Sequence, residues 1–238
     1  MKKYHLALMA LFIGTSGSAA ADQTSWRSLI DMKRADVSTF SMKMINEGQE
    51  AGSMTYGWRR SGNTYVISDR TEMKPNILET ATGIIDARTL LPISNDIDFA
   101  VGGSKNIFDL EWDNGALKGE IHINQEGGEP RTVDVSNADH PASIIRLSIF
   151  GVIAGLPLAE GFSVDMPWYN TLSNTVENIT LAHVGFETVE TPAGSFEAHK
   201  IHIQNGTPEN MVYVTKSMPQ RIVRIDVIGM PMHFERLP

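Results

Sequence analysis

From residue 37 onward the chain alternates apolar and polar positions with a period of two. Between Val37 and Ile45, Phe40, Met42 and Met44 fall on one side, and Ser41 and Lys43 on the other. Met54, Tyr56 and Trp58 line one side of the next run, and NTYVISDR follows a Ser-Gly-Asn turn at 61–63. NILETATGIID, DIDFAVG, NIFDLEW, ALKGEIHIN and RTVDVS come next, divided by Gly-Gly at 102–103, Asp-Asn-Gly at 113–115 and Gly-Gly-Glu-Pro at 127–130. The pattern resumes with Phe162, Val164, Met166 and Trp168, then NITLAHVGFETVE, SFEAHKIHI, MVYVTKS, RIVRIDVIG and MHFERL. Such alternation marks strands with one buried face, and closely spaced turn residues join them antiparallel. The expected fold is mainly β: a curved antiparallel meander, half-barrel or barrel-like.

One segment breaks the period. Residues 139–158 read DHPASIIRLSIFGVIAGLPL, apolar on nearly every side, with Arg146 the only charge between Pro141 and Leu158. Asp139 offers an N-cap, Pro141 suits a first turn, and Gly155 and Pro157 supply a stop. The spacing predicts one inserted apolar helix around 141–154. A helix apolar all round is buried, here against the curved sheet. Arg146 should then reach solvent along a buried stem or meet a carboxylate.

The N-terminus sets the expected compartment. Lys2 and Lys3 precede an apolar run, LALMALFIG, and small residues ending in Ala19 and Ala21. This predicts a secretory signal peptide over residues 1–21, removed before Asp22, since the apolar run falls short of the ~20 residues of a membrane span. Residues 22–238 then read as a single exported β domain without linker or repeat, with no transmembrane anchor after cleavage. The chain has no cysteine, which excludes disulfides, thiol chemistry and acylation as a lipoprotein. The expected location is periplasmic. The formal charge is −8 and grows more negative without Lys2 and Lys3. With no basic cluster along the chain, nucleic acid and anionic headgroups are not expected partners.

Candidate chemistry concentrates at 187–203, ETVETPAGSFEAHKIHI. Pro192 and Gly194 suit a hairpin, read as a three-residue loop with a bulge. Ser195 lacks a nucleophile-elbow context. His199 and His202 are three apart, so a strand places them on opposite faces, where they cannot share a metal. His122 and His183 leave a cross-strand histidine cluster open. No metal-binding, phosphate-loop or Ca²⁺-loop motif is present, and the carboxylates are scattered. No catalytic residue, metal or cofactor is expected from the sequence.

DARTLLP at 86–92, VETPAGSFEAHKIHI at 189–203 and KSMPQRIVRIDV at 216–227, in this order around an Asp-led apolar helix, resemble exported bacterial proteins of domain of unknown function 3108. The resemblance covers most of the chain after the signal peptide. It implies a curved antiparallel sheet similar to the half-barrel of periplasmic lipoprotein carriers, and brings no catalytic residues.

Methionine is the compositional oddity, at 12 residues, several beside aromatics at strand period. Phe40, Met42, Met44, Met54, Tyr56, Trp58, Met166, Trp168, Met230 and Met232 are the candidate pocket-lining residues, continued by Phe234. Met is flexible and polarizable and suits varied apolar partners. A concave Met/aromatic sheet predicts a non-catalytic protein binding a hydrophobic or lipid-like ligand, with the helix as plug or lid. The same residues also make an ordinary core. That alternative predicts a structural or protein-interaction module of a cell-envelope assembly, with a filled interior and an exposed edge strand. A hydrolase of envelope polymers is the third reading, resting on compartment alone.

Overall fold

The computed structural model describes residues 26–238; the predicted signal peptide lies outside the described residues. The strands are β1 (Phe40–Asn46), β2 (Gln49–Ser61), β3 (Thr64–Met73), β4 (Ile77–Asp86), β5 (Pro92–Val101), β6 (Ser104–Asp113), β7 (Ala116–Asn124), β8 (Arg131–Asn137), β9 (Ile144–Ile145), β10 (Ser163–Asn170), β11 (Thr175–Thr191), β12 (Gly194–Gln204), β13 (Asn210–Thr215), β14 (Ile222–Val227) and β15 (Met232–Arg236). They form one 15-stranded sheet in the order β8 to β1, then β15 down to β9. The meander therefore runs outward from a central seam, where β1 pairs antiparallel with β15. All pairings are antiparallel except the short one between β9 and β10. β8 and β9 do not pair with each other, so the ladder is not closed.

The sheet nonetheless rolls up. The turn after β10 reaches the inner face of β5, where Asn95 Nδ2 donates to Thr171 Oγ1 at 2.6 Å. Trp112 of β6 packs edge-on against Tyr169 of β10, with centroids 5.4 Å apart. Gly83 of β4 leaves room there: a Cβ would stand 2.7 Å from Ile145 Cδ1. The β9–β10 edge of the sheet thus rests through side chains on β4, β5 and β6, near the opposite edge, and β7 and β8 continue past that contact. Over β5 to β8 the outer face carries a row of acids, whereas Val189, Ala198, Tyr213 and Val223 form a separate small apolar cluster on β11 to β14. Asp96, Asp109, Glu120 and Asp134 stand directly opposite one another across β5, β6, β7 and β8.

The inward face carries the core. Met42, Ile67, Leu110, Ile179, Leu181, Ile201, Ile203 and Val212 are fully buried. The alternation is responsible, since every second residue of each strand points to the same side.

The inserted helix is shorter than the sequence predicted. The chain is extended at Ile144–Ile145, pairing in parallel with Trp168 and Tyr169. A 3₁₀ turn at Arg146–Ser148 then leads into α1 (Ile149–Gly155). A short apolar run has no periodicity that separates buried strand from buried helix. Here pairing with β10 satisfies the Ile144–Ile145 backbone, and Asp139 and Pro141 precede coil. The predicted stop holds: α1 ends at Gly155, and Leu156 is already extended. Burial also holds, because Ile149, Val152, Ile153 and Ala154 are buried.

The hairpin at 191–194 is tighter than the three-residue loop expected. Thr191 pairs with Gly194 directly, leaving Pro192 and Ala193 as the turn, and Gly194 takes φ 126°.

Candidate functional site

The predicted Met/aromatic positions converge on the inward face. Phe40, Met42 and Met44 lie on β1, Met54, Tyr56 and Trp58 on β2, and Met166 and Trp168 on β10, all buried. Met42 stands opposite Met54, and Phe40 opposite Tyr56. Met232 on β15 is half-buried and packs against this cluster. Met230 is placed elsewhere: it lies in the turn before β15 and is 55% exposed.

Residues 146–156 cross this surface and cover it. Gly151 is the closest approach, since a Cβ there would fall 2.4 Å from Trp58 Cε2 and Cζ2. Phe150 meets the edge of Tyr56 at 5.4 Å between centroids. The apolar contacts are pinned by polar ones. Trp58 Nε1 donates to Tyr56 Oη at 2.7 Å, and Tyr56 Oη donates to the Leu147 carbonyl at 2.8 Å. Full burial makes Tyr56 far harder to ionise than a free phenol, so its hydroxyl stays a donor.

A charged group closes one end of the crossing segment. Arg146 Nη2 lies 3.2 Å from Glu79 Oε1, with side chains 25% and 13% exposed. The guanidinium has thus met a carboxylate, one of the two outcomes its apolar setting allowed. Asp69 belongs to the same group. Burial, and then the charge of Glu79, push its carboxyl up to about 7. Thr71 Oγ1 donates to both Asp69 oxygens at 3.2 Å, and Arg146 opposes the upward shift. The guanidinium pairs with Glu79 and acts on Asp69 through its charge alone. The sequence carried a signal for this group that its reading missed: Asp69 and Glu79 occupy inward positions, two residues from Ile67 and Ala81 respectively. A carboxylate in an apolar register needs a partner.

The histidines separate as strand geometry requires. His199 faces inward and shares a hydrogen bond with His183, Nδ1 to Nε2 at 3.1 Å, beside Phe186. His202 faces outward and lies 3.0 Å from Glu209. Burial lowers both His183 and His199; His183 and Lys216 push His199 further down, while the charge of Glu160 opposes the shift of His183. Among the described residues, no three His, Asp or Glu side chains converge as a metal ion would require. Ser195 donates to Glu190 of the same hairpin.

These features define a class: an open, rolled antiparallel sheet whose inward Met/aromatic face is covered by one short crossing segment. The model of the family described as Protein of unknown function (DUF3108) matches residues 39–234. The chain belongs to that family. No curated protein and no solved structure matches it. No helix among the described residues is long and apolar enough to cross a membrane.

Proposed function

We propose that the protein is a non-catalytic binding protein of the cell envelope, taking a long-chain lipid-like ligand on the inward face, with residues 146–156 as a movable lid. One observation carries the reading. Besides a backbone bond from Asp31 N–H to the Gly155 carbonyl at 2.9 Å, the segment over the Met/aromatic face is held by the Tyr56 hydroxyl on the Leu147 carbonyl and by the Arg146–Glu79 ion pair. A permanent core does better with apolar contacts, because buried ionic groups add little net stability; their best-attested use is in registry and switching.

The magnitudes select the ligand class. Ile149, Val152, Ile153 and Leu156 are the large, fully buried side chains of the lid. At roughly 1.5–3 kcal/mol each, uncovering them costs on the order of 10 kcal/mol. A methylene returns about 0.8 kcal/mol, so a ligand needs roughly a dozen methylenes to exchange for the lid. Short apolar molecules do not meet that requirement, whereas a membrane-lipid acyl chain does. The Met side chains suit such a ligand because they repack without a fixed shape.

The test is native mass spectrometry of the exported protein, purified without detergent and then offered a series of fatty acids. The expected result is a bound apolar molecule, and uptake that begins at about twelve carbons and rises with chain length. A ligand-free mass with no uptake at any length would abandon the carrier role. The interaction-module reading would then take its place, supported by the unpaired edge of β8.

A further inference from the structure

A cleft of about 300 Å³ opens on the side of the molecule, between residues 27–33, the β2–β3 hairpin and the turn joining β4 to β5. Its lining includes Arg27, Lys33, Arg60 and Arg88, opposed by Asp31 alone. Four cations around one small hollow are unexpected in a chain of net charge −8. Net charge and linear spacing both conceal them, because three separate segments supply them.

The cations lack carboxylate partners at ion-pair distance. Among the described residues none of the four makes an ion pair; Arg60 Nε donates only to the Gly62 carbonyl, at 3.2 Å, and its guanidinium lies over the Tyr65 ring. Arg27 is the informative one. Its guanidinium lies 4.8 Å from the centroid of the Trp26 ring, yet its Nε and Nη2 are shielded from solvent and have no hydrogen-bond partner, and burial lowers its affinity for the proton. A guanidinium carries five donors and stays charged, so burying two of them unsatisfied is costly. Buried polar atoms in folded proteins are nearly always satisfied, and each exception calls for a reason.

The wall opposite is built rather than incidental. Asp86 accepts from the backbone N–H of Arg88 at 3.0 Å and of Thr89 at 2.7 Å, and from Thr89 Oγ1 at 2.8 Å. These bonds hold the carboxyl of Asp86 below the usual carboxylate range. Leu90 takes φ 59°, a left-handed conformation costing a branched residue roughly 1 kcal/mol or more. The stretch DARTLLP thus forms a rigid, strained turn that aims Arg88 and Leu90 into the cleft.

The geometry points to an anion site here, one that takes a phosphoryl group between the guanidinium of Arg27 and those of Arg60 and Arg88, with Lys33 at the mouth. Guanidinium groups suit phosphate because their forked donors match its oxygens. The cleft volume is at the lower end of ligand pockets, enough for a head group and not for a chain. The cleft adjoins the lidded face, since Asp31 N–H donates to the Gly155 carbonyl and Tyr65 packs on Trp58, but its cations take no part in the lid and the proposal does not depend on it.

The experiment has two arms. Inorganic phosphate is titrated into the full exported chain by calorimetry, with chloride at equal ionic strength as the control. In parallel, sedimentation measures retention on vesicles of phosphatidylcholine with and without phosphatidylglycerol. The expected result is saturable phosphate binding, weakened about tenfold or more by Arg27→Gln and by Arg88→Gln. Arg88 is exposed, so its variant keeps the test available if Arg27→Gln fails to fold. Retention on the anionic vesicles, competed by phosphate, would identify a lipid head group as the source. Phosphate binding without retention would identify a soluble phosphate compound. No saturable binding in either arm, or binding indifferent to both variants, would overturn the site.

Discussion

Replacing Gly151 by alanine should lift α1 off the sheet. The new Cβ would lie 2.4 Å from Trp58 Cε2 and Cζ2 and 2.9 Å from Cη2. That is ~1 Å inside ordinary carbon–carbon contact. The indole has little freedom to yield: Tyr65 packs against it at 5.4 Å between centroids, and its Nε1 is held by Tyr56 Oη at 2.7 Å. Overpacking of this kind costs about 1–3 kcal/mol, and a strained Trp58–Tyr56 hydrogen bond about 1 more. Alanine returns about 1 kcal/mol through helix propensity. The net expectation is a loss of about 2 kcal/mol. Urea denaturation followed by far-ultraviolet circular dichroism reads this without depending on tryptophan emission. The clash should be specific to the indole, so Trp58→Phe should relieve it, and the double variant should be more stable than the two single losses predict by about 1 kcal/mol. If Gly151→Ala is as stable as the parent, or if the two losses simply add, α1 is not seated on Trp58.

Two further predictions concern charge. Asp69 binds its proton up to about pH 7 in the folded state, against an ordinary value of 3.8. Its contribution to stability is therefore fully present below about pH 4 and is lost as pH rises through about 7. Asp69→Asn should remove that slope, so that urea midpoints from about pH 5 to pH 8 diverge by roughly 2 kcal/mol in the variant's favour at the alkaline end; parallel curves would mean that Asp69 titrates normally. On the outer face, like charges stand opposite each other from Asp96 to Asp134, and such pairs are destabilising. Asp109→Lys should stabilise by about 0.5–1 kcal/mol at low salt and less at high salt, and a destabilised variant would contradict the register.

The strands were legible because their signal is local. Met42 and Met44, or Tyr56 and Trp58, reveal their face by spacing alone, and the turns at 61–63, 102–103 and 113–115 needed only their own residues. Whatever depended on pairing was hidden. His183 and His199 become neighbours only because β11 pairs with β12, with an irregularity between His183 and Gly185 that shifts the register. The Asp69–Glu79–Arg146 group joins β3, β4 and the crossing segment. The start of α1 was misplaced because Ile144 and Ile145 are extended by a strand met later in the chain. Met230 fitted the period of Met232 and Phe234 but falls in a turn, where the period has no structural meaning. The arginines around the cleft come from a 3₁₀ turn, a hairpin and a loop, and no window of sequence holds them together.

The lid is the feature on which the proposed function depends, and amide exchange measures it directly. Hydrogen–deuterium exchange of the chain from residue 22 onward should be followed over residues 144–158, first alone and then with a saturating sixteen-carbon fatty acid. Exchange should be slow in the free protein and rise about tenfold or more when the fatty acid is bound, with the rise confined to this segment while β1 and β2 stay protected. Unchanged protection over 144–158 with ligand bound would show that the segment is part of a permanent core and that any ligand binds elsewhere.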